Sequence, residues 1–268
     1  MTSLLKSAAI AIAMYSRIPM PVFEWQEEDM RLAIAFFPVV GVITGAAVMG
    51  WTALGRYLEV PAAALALIAA VLPILITGGI HVDGFMDTSD ALSSYRPREK
   101  RLEILKDSHI GAFAVIALMV LSAFYLAGAL TLMNSVTAEG LIALMPVLLV
   151  WALGFCLSRS LSALSVASFR CARHEGTLYA FGAPAHQKMT RGVILGEVIL
   201  FAGLMIAADP AAGLTAAGIS VLVFFYYRYR SYRDFGGVTG DLAGWFLCLC
   251  ETGHLLSLAL IILIRQAG

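Results

Sequence analysis

The chain has 268 residues, of which 60% are hydrophobic and only 13% charged, and its formal net charge is zero. That composition excludes an ordinary soluble domain, and with no bulk positive charge nucleic acid is not an expected partner. The expected surroundings are a lipid bilayer.

In chain order, the first apolar stretch covers residues 4–15 and is too short to span comfortably. It is followed by "SRIPMPVFEW", which has no small-residue cleavage site, so the stretch is expected to be an interfacial or re-entrant helix rather than a signal peptide. Spans are then expected at about 32–52, 61–80, 110–132, 140–158, 192–208, 211–227 and 242–264, since a crossing needs roughly 20 apolar residues. The fold class is therefore all-α: a polytopic membrane helical bundle of about seven transmembrane helices, forming one domain over 1–268. With the N-terminus in the cytoplasm, every Lys and Arg except Arg56 and Arg265 falls on the cytoplasmic side. The long polar connections at about 81–109, 159–191 and 228–241 fall there too, so function is expected to face the cytoplasm. Cys156, Cys171, Cys248 and Cys250 contain no C-x-x-C pair and are expected to be reduced thiols, with no structural zinc.

The second span runs into "GGIHVDGFMDTSDAL", residues 78–92. If the helix continues past Gly84, Asp83, Asp87 and Asp90 project within about a 60° arc of one face. Three like charges beside a low-dielectric boundary repel unless a cation neutralises them, and hard carboxylate oxygens suit Mg²⁺. A metal site on Asp83, Asp87 and Asp90 is the expectation, against the simpler reading of acids decorating a helix end. Gly84 leaves room for a phosphate or a second backbone, and His81 is placed to orient an aspartate or a phosphate oxygen.

Further candidates follow. In "RLEILKDSHIGAF", residues 101–113, Asp107 can join the metal or orient a nucleophile, and Ser108 can cap the next helix. Arg96 and Arg98 can attract polyphosphate, although topology and anionic lipid also call for basic residues there. "FRCARHEGTLYAFG", residues 169–182, offers Arg173 and Glu175 as a substrate loop or a solvated one. In "GGVTGD", residues 236–241, Gly236 and Gly237 precede Asp241 at the start of the last span, an arrangement suited to a phosphate. Glu251 lies about 15 Å deeper along that helix and must be paired or hydrated, by His254 or by a basic group from another helix.

Acids, basic loops and glycine turns on one side describe a Mg²⁺-dependent phosphoryl transferase in the membrane. The alternative is an ion-coupled transporter relaying cations through Glu197, Glu251 and His254. An intramembrane metalloprotease would need H-E-x-x-H, which "HVDGFMD" does not supply.

"SRIPMP", "TGGIHVDGFMDTSDA", "RLEILKDSHIGAF", "RHEG" and "GGVTGDLAG" together resemble the motifs of the cobalamin synthase, or adenosylcobinamide-GDP ribazoletransferase, family along almost the whole chain. Ala91, His109 and Cys248 depart from the family pattern, whereas Asp83, Asp87, Asp90, Asp107 and Asp241 keep it. The resemblance implies transfer of the cobinamide phosphoryl group from adenosylcobinamide-GDP to α-ribazole or its 5′-phosphate, with release of GMP. It also implies Mg²⁺, a bacterial inner-membrane location and possible association with other cobalamin-pathway enzymes. Asp107 or Asp241 would be the second metal anchor or general base. Arg96, Arg98 and Arg173 would then meet the pyrophosphate or guanine side.

Overall fold

A computed structural model describes residues 3–21, 32–172 and 187–268. Its helices are α1 (Ser3–Tyr15), α2 (Phe37–Tyr57, entered through a 3-10 turn at Ile34–Phe36), α3 (Ala62–Thr77), α4 (Ile80–Ser93), α5 (Arg98–Ile104), α6 (Ala112–Glu139), α7 (Leu141–Ser168), α8 (Gln187–Ala208), α9 (Pro210–Arg230, continued by a π-helical turn at Ser231–Phe235) and α10 (Gly240–Ala267). Among the described residues there is no strand, only a single bridge between Cys171 and Val238. Among the described residues, six segments, built on α2, α6, α7, α8, α9 and α10, are long and apolar enough to cross a membrane; α3 with α4 makes a seventh if that bent pair is one span. The all-α membrane bundle expected from hydropathy is the fold observed.

The pattern of burial has the same cause. α7 and α10 form the centre, with Trp151, Phe155, Leu157, Phe246, Leu247 and Leu258 buried. The outer helices turn Phe113, Met119 and Phe124 of α6 and Val193, Ile199 and Leu200 of α8 outward. Water would penalise so continuous an apolar surface, whereas acyl chains do not.

Two expected boundaries need correction. The second span, expected at 61–80, ends at Thr77, where Gly78 and Gly79 both take left-handed backbone at φ +68° and +82°. Two such residues in succession end the helix, and α4 leaves at 92° to α3. Arg17 locks the corner: its N–H donates to the Ile76 carbonyl at 2.8 Å and its side chain occupies the space a Cβ on Gly78 would need. The apolar limb is thus α3, and α4 turns away from it.

The fourth span, expected to stop at 158, continues as α7 to Ser168. Arg159, expected in a cytoplasmic loop, is instead fully buried in the bundle. Its charge is tolerated there because a carboxylate from α10 meets it.

Candidate active site

Asp83, Asp87 and Asp90 lie on α4, one helix from Ile80 to Ser93, so they share the face their spacing predicts. Tertiary packing adds a fourth acid. A Cβ on Gly84 would stand 2.8 Å from the carbonyl oxygen and 2.9 Å from the Cα of Asp241, and one on Gly244 would stand 2.9 Å from the His81 carbonyl oxygen. The backbones of α4 and α10 therefore touch with no side chain between them, and the Cys248 thiol donates to the His81 carbonyl at 3.4 Å. Asp241, in the first turn of α10, is brought against the aspartate helix.

The electrostatics follow from that crossing. Burial first, then the carboxylates of Asp83, Asp241 and Asp90, push the Asp87 carboxyl up to about 6. Among the described residues no ion pair is formed by Asp83, Asp87 or Asp90. Among those residues, too, no three His, Cys, Asp or Glu side chains converge at the spacing of direct metal ligands. The group is a set of repelling anions rather than a finished cage. Such a set suits a cation that retains waters and takes further oxygens from a bound phosphate.

Asp83 and Asp241 open into a cavity of about 330 Å³, walled also by His81, Tyr15, Phe37 and Ser162. Thr239 caps α10 at its mouth by accepting from the Leu242 N–H at 3.2 Å. His81 lies edge-on to Phe37, 5.8 Å between ring centroids, and its Nε2 is buried without a partner. A Cβ on Gly111 would collide with the Asp90 carboxylate, so Gly111 lies directly on Asp90.

Asp107 itself is not gathered into the group. It is exposed, accepts from the His109 N–H at 3.0 Å and pairs with His109 Nδ1 at 2.7 Å, and these hydrogen bonds hold its carboxyl below the usual range. Ser108 does not cap α6 as expected. That helix starts at Ala112 and its N-cap is Gly111, which carries no capping side chain.

The glycine turn also differs from a bare phosphate cradle. The N–H groups of Gly236, Gly237 and Val238 already donate to Tyr232, Ser231 and Arg170 carbonyls at 3.2, 3.0 and 2.9 Å. What the turn presents is cationic: the Arg98 guanidinium occupies the space where a Gly236 Cβ would be, and Arg170 donates to the Gly236 carbonyl at 3.1 and 2.8 Å. Arg101 and Arg230 both pair with Asp234 at 2.5 Å, tying α5 to the turn after α9. Arg96 is exposed nearby in sequence, and Arg173 and Glu175 lie outside the described residues.

With this geometry in place, the sequence model described as cobalamin-5-phosphate synthase matches residues 7–259, which include every candidate site residue described above. The chain belongs to that family. A cobalamin-5-phosphate synthase family member from Lachnoclostridium phytofermentans, named adenosylcobinamide-GDP ribazoletransferase, is 40% identical over 92% of this chain and 90% of its own length. Relatives of the same name from Desulfitobacterium hafniense and Azorhizobium caulinodans are 34% and 33% identical, covering 92% and 94% of this chain and 94% and 95% of theirs. No solved structure matches the chain.

Two buried partnerships in this synthase-family fold answer questions its sequence left open. Glu251 is paired not with His254 but with Arg159 of α7, at 2.6 Å, and also accepts from Ser158 at 3.1 Å. His254 meets Ser220 of α9 at 2.5 Å instead. Glu197 stands on α8, and its Oε2 is buried with no partner among the described residues. The Glu197, Glu251 and His254 relay expected for a transporter is not seen as a connected set among the described residues, since Glu251 and His254 bond to different helices and Glu197 Oε2 to neither. Arg159 was not among the expected site residues, because the polar, serine-rich stretch from 159 reads as a loop; the "SRS" at 158–160, which also resembles the family pattern, and the helical sequence to Ser168 were the available signals.

Proposed function

We propose that the chain is a Mg²⁺-dependent adenosylcobinamide-GDP ribazoletransferase, acting on α-ribazole or its 5′-phosphate at the cytoplasmic face of a bacterial inner membrane. The observation that carries this reading is the α4–α10 crossing, which brings Asp241 to the aspartate helix of Asp83, Asp87 and Asp90, with Asp83 and Asp241 lining one cavity. Four carboxylates without a described cationic partner for three of them are costly unless a divalent cation and a polyanion complete the site. The relatives' shared name supplies a polyanion of the right kind, a nucleoside diphosphate ester.

In the reaction, a ribose hydroxyl of the acceptor attacks the phosphorus that bears the cobinamide linker. A new O–P bond forms, the P–O bond to GMP breaks in line, and the hydroxyl proton passes to a carboxylate. Asp241 is the better placed base, since it lines the cavity with Asp83, whereas Asp107 is exposed and held by His109. When bound, Mg²⁺ supplies charge neutralisation at the phosphoryl oxygens, and Asp83, Asp87 and Asp90 are the residues that would hold it. His81 is poised to orient a phosphate oxygen or an aspartate, and Arg98 and Arg170 offer positive charge to the pyrophosphate.

The test is GMP release by purified protein given adenosylcobinamide-GDP and α-ribazole, with and without Mg²⁺. Activity should require the cation and should be lost in Asp83→Asn, Asp87→Asn and Asp90→Asn. Near-normal turnover in two of these three would sink the assignment. Substrate accumulation in reconstituted vesicles without GMP production would favour a transporter instead.

A further inference from the structure

A second cavity, about 230 Å³, lies deeper between α3, α6 and α10, and its outer wall is Leu67, Val71 and Ile74 of α3 with Leu118 and Leu121 of α6. Leu67, Val71 and Ile74 are themselves outward-facing, so the cavity lies behind a lipid-facing wall rather than against an aqueous loop. Its inner wall is polar: His81, Arg159, Glu251 and Thr252. Arg159 is completely buried. It donates through one Nη to Glu251 and to the Phe155 carbonyl, at 2.6 and 2.9 Å, while its Nε and other Nη have no partner. Thr252 Oγ1 and His81 Nε2 are buried and unpartnered too. Unmet hydrogen-bonding groups from three helices thus line one space. Such groups are expensive to bury, and a guanidinium edge is the most expensive of them.

We propose that this cavity is a subsite for a carboxamide side group of the corrinoid half of the donor substrate. The inference rests on the transferase reading above, and four features point to it. The Arg159–Glu251 pair already balances its own charge, so a neutral group fits better than an anion. The free donors of Arg159 call for a carbonyl oxygen, while the Thr252 hydroxyl and the imidazole can take an amide N–H. The His81 Nε2, buried without a partner, lies in the wall of this same space. A lipid ester would satisfy the donors alone. Cobinamide, as the name of the relatives' substrate records, is an amide-bearing molecule.

His81 decides the placement, because it lines both this cavity and the acid-lined one. A molecule with its pyrophosphate beside Asp83 has its apolar half within reach of the second space across one imidazole. At about 230 Å³ the cavity is smaller than the roughly 300–1,000 Å³ of a whole-ligand pocket, so it takes a side group and not a macrocycle.

Thr252→Val removes a polar partner, and Ser122→Leu, at a position of α6 that also lines the cavity, fills it; both are read by equilibrium binding of cobinamide, which carries no phosphate, in EDTA. Each variant should weaken that binding about tenfold while the melting temperature in detergent stays near wild type. On turnover, each should lose more on adenosylcobinamide-GDP than on a truncated donor, aminopropanol esterified to GDP. If wild type releases GMP but both variants bind cobinamide as wild type does, the subsite assignment is wrong and the transferase reading stands. If wild type binds cobinamide yet releases no GMP with every substrate supplied, the transferase reading fails instead. Loss of copurifying phospholipid in the variants, with cobinamide affinity unchanged, would make the cavity a lipid site and overturn the proposal.

Discussion

The two ends of the bundle treat their acids in opposite ways. At the end remote from the aspartate helix, Asp209 caps α9 by accepting from the Ala212 N–H at 3.0 Å and receives both arms of the Arg265 guanidinium at 2.7 and 2.8 Å. Hydrogen bonds from Arg265 hold its carboxyl below the usual range. At the other end, Asp87 faces three more carboxylates, and burial with their repulsion drives its carboxyl up. One acid is completed by the protein and serves the fold. The other group is left in mutual conflict, which is the signature of a site that waits for something external. The contrast separates structural from functional acids without reference to their sequence neighbours.

The sharpest break in that comparison is activity. Asp83→Asn and Asp87→Asn should each reduce GMP release by about 10²- to 10³-fold without lowering the melting temperature, since each removes a repelling charge. Asp209→Asn should do the reverse, costing under about 1 kcal/mol of stability and leaving turnover alone, as expected of a partly exposed pair. Next in size is Gly84→Ala. Its Cβ would press on the Asp241 backbone, force α4 from α10, and cost up to about 10²-fold in turnover through misplacement of the acids. Thermal unfolding alone would move less than activity if this reading holds.

Between the two ends lies the Arg159–Glu251 pair, which sharpens the comparison because it is buried and satisfied by charge. Arg159→Met should destabilise by about 3–5 kcal/mol by stranding Glu251, and Arg159→Met with Glu251→Leu should recover much of that loss in detergent melting curves. A double variant as unstable as the single one would show that the pair is not coupled.

The smallest effect is in pH. With its carboxyl at about 6 in the folded chain and an ordinary value of 3.8, Asp87 binds a proton in the folded state over that interval which the unfolded chain lacks. Stability therefore falls as pH rises through the interval. In EDTA the melting temperature of Asp87→Asn should exceed that of wild type by more at pH 7 than at pH 5, and Mg²⁺ should close the gap. An unchanged difference across those conditions would argue against repulsion at Asp87.

Hydrophobic runs and residue spacing were enough to establish a helical membrane bundle and to put Asp83, Asp87 and Asp90 on one face. Both are local properties: a crossing needs only a length of apolar chain, and a shared face needs only the helical repeat within Ile80–Ser93. The paired glycines before α4 were visible as residues, but the 92° turn they allow is set by what packs against it, including Arg17 from sixty positions earlier. Asp241 beside Asp87, Arg98 over Gly236 and Arg159 against Glu251 join groups far apart in the chain. No spacing rule reaches across such separations, because those contacts exist only once helices have chosen their neighbours. Local sequence thus determined which acids stand together on α4, and tertiary packing decided which charges, elsewhere in the chain, would meet them or be kept away.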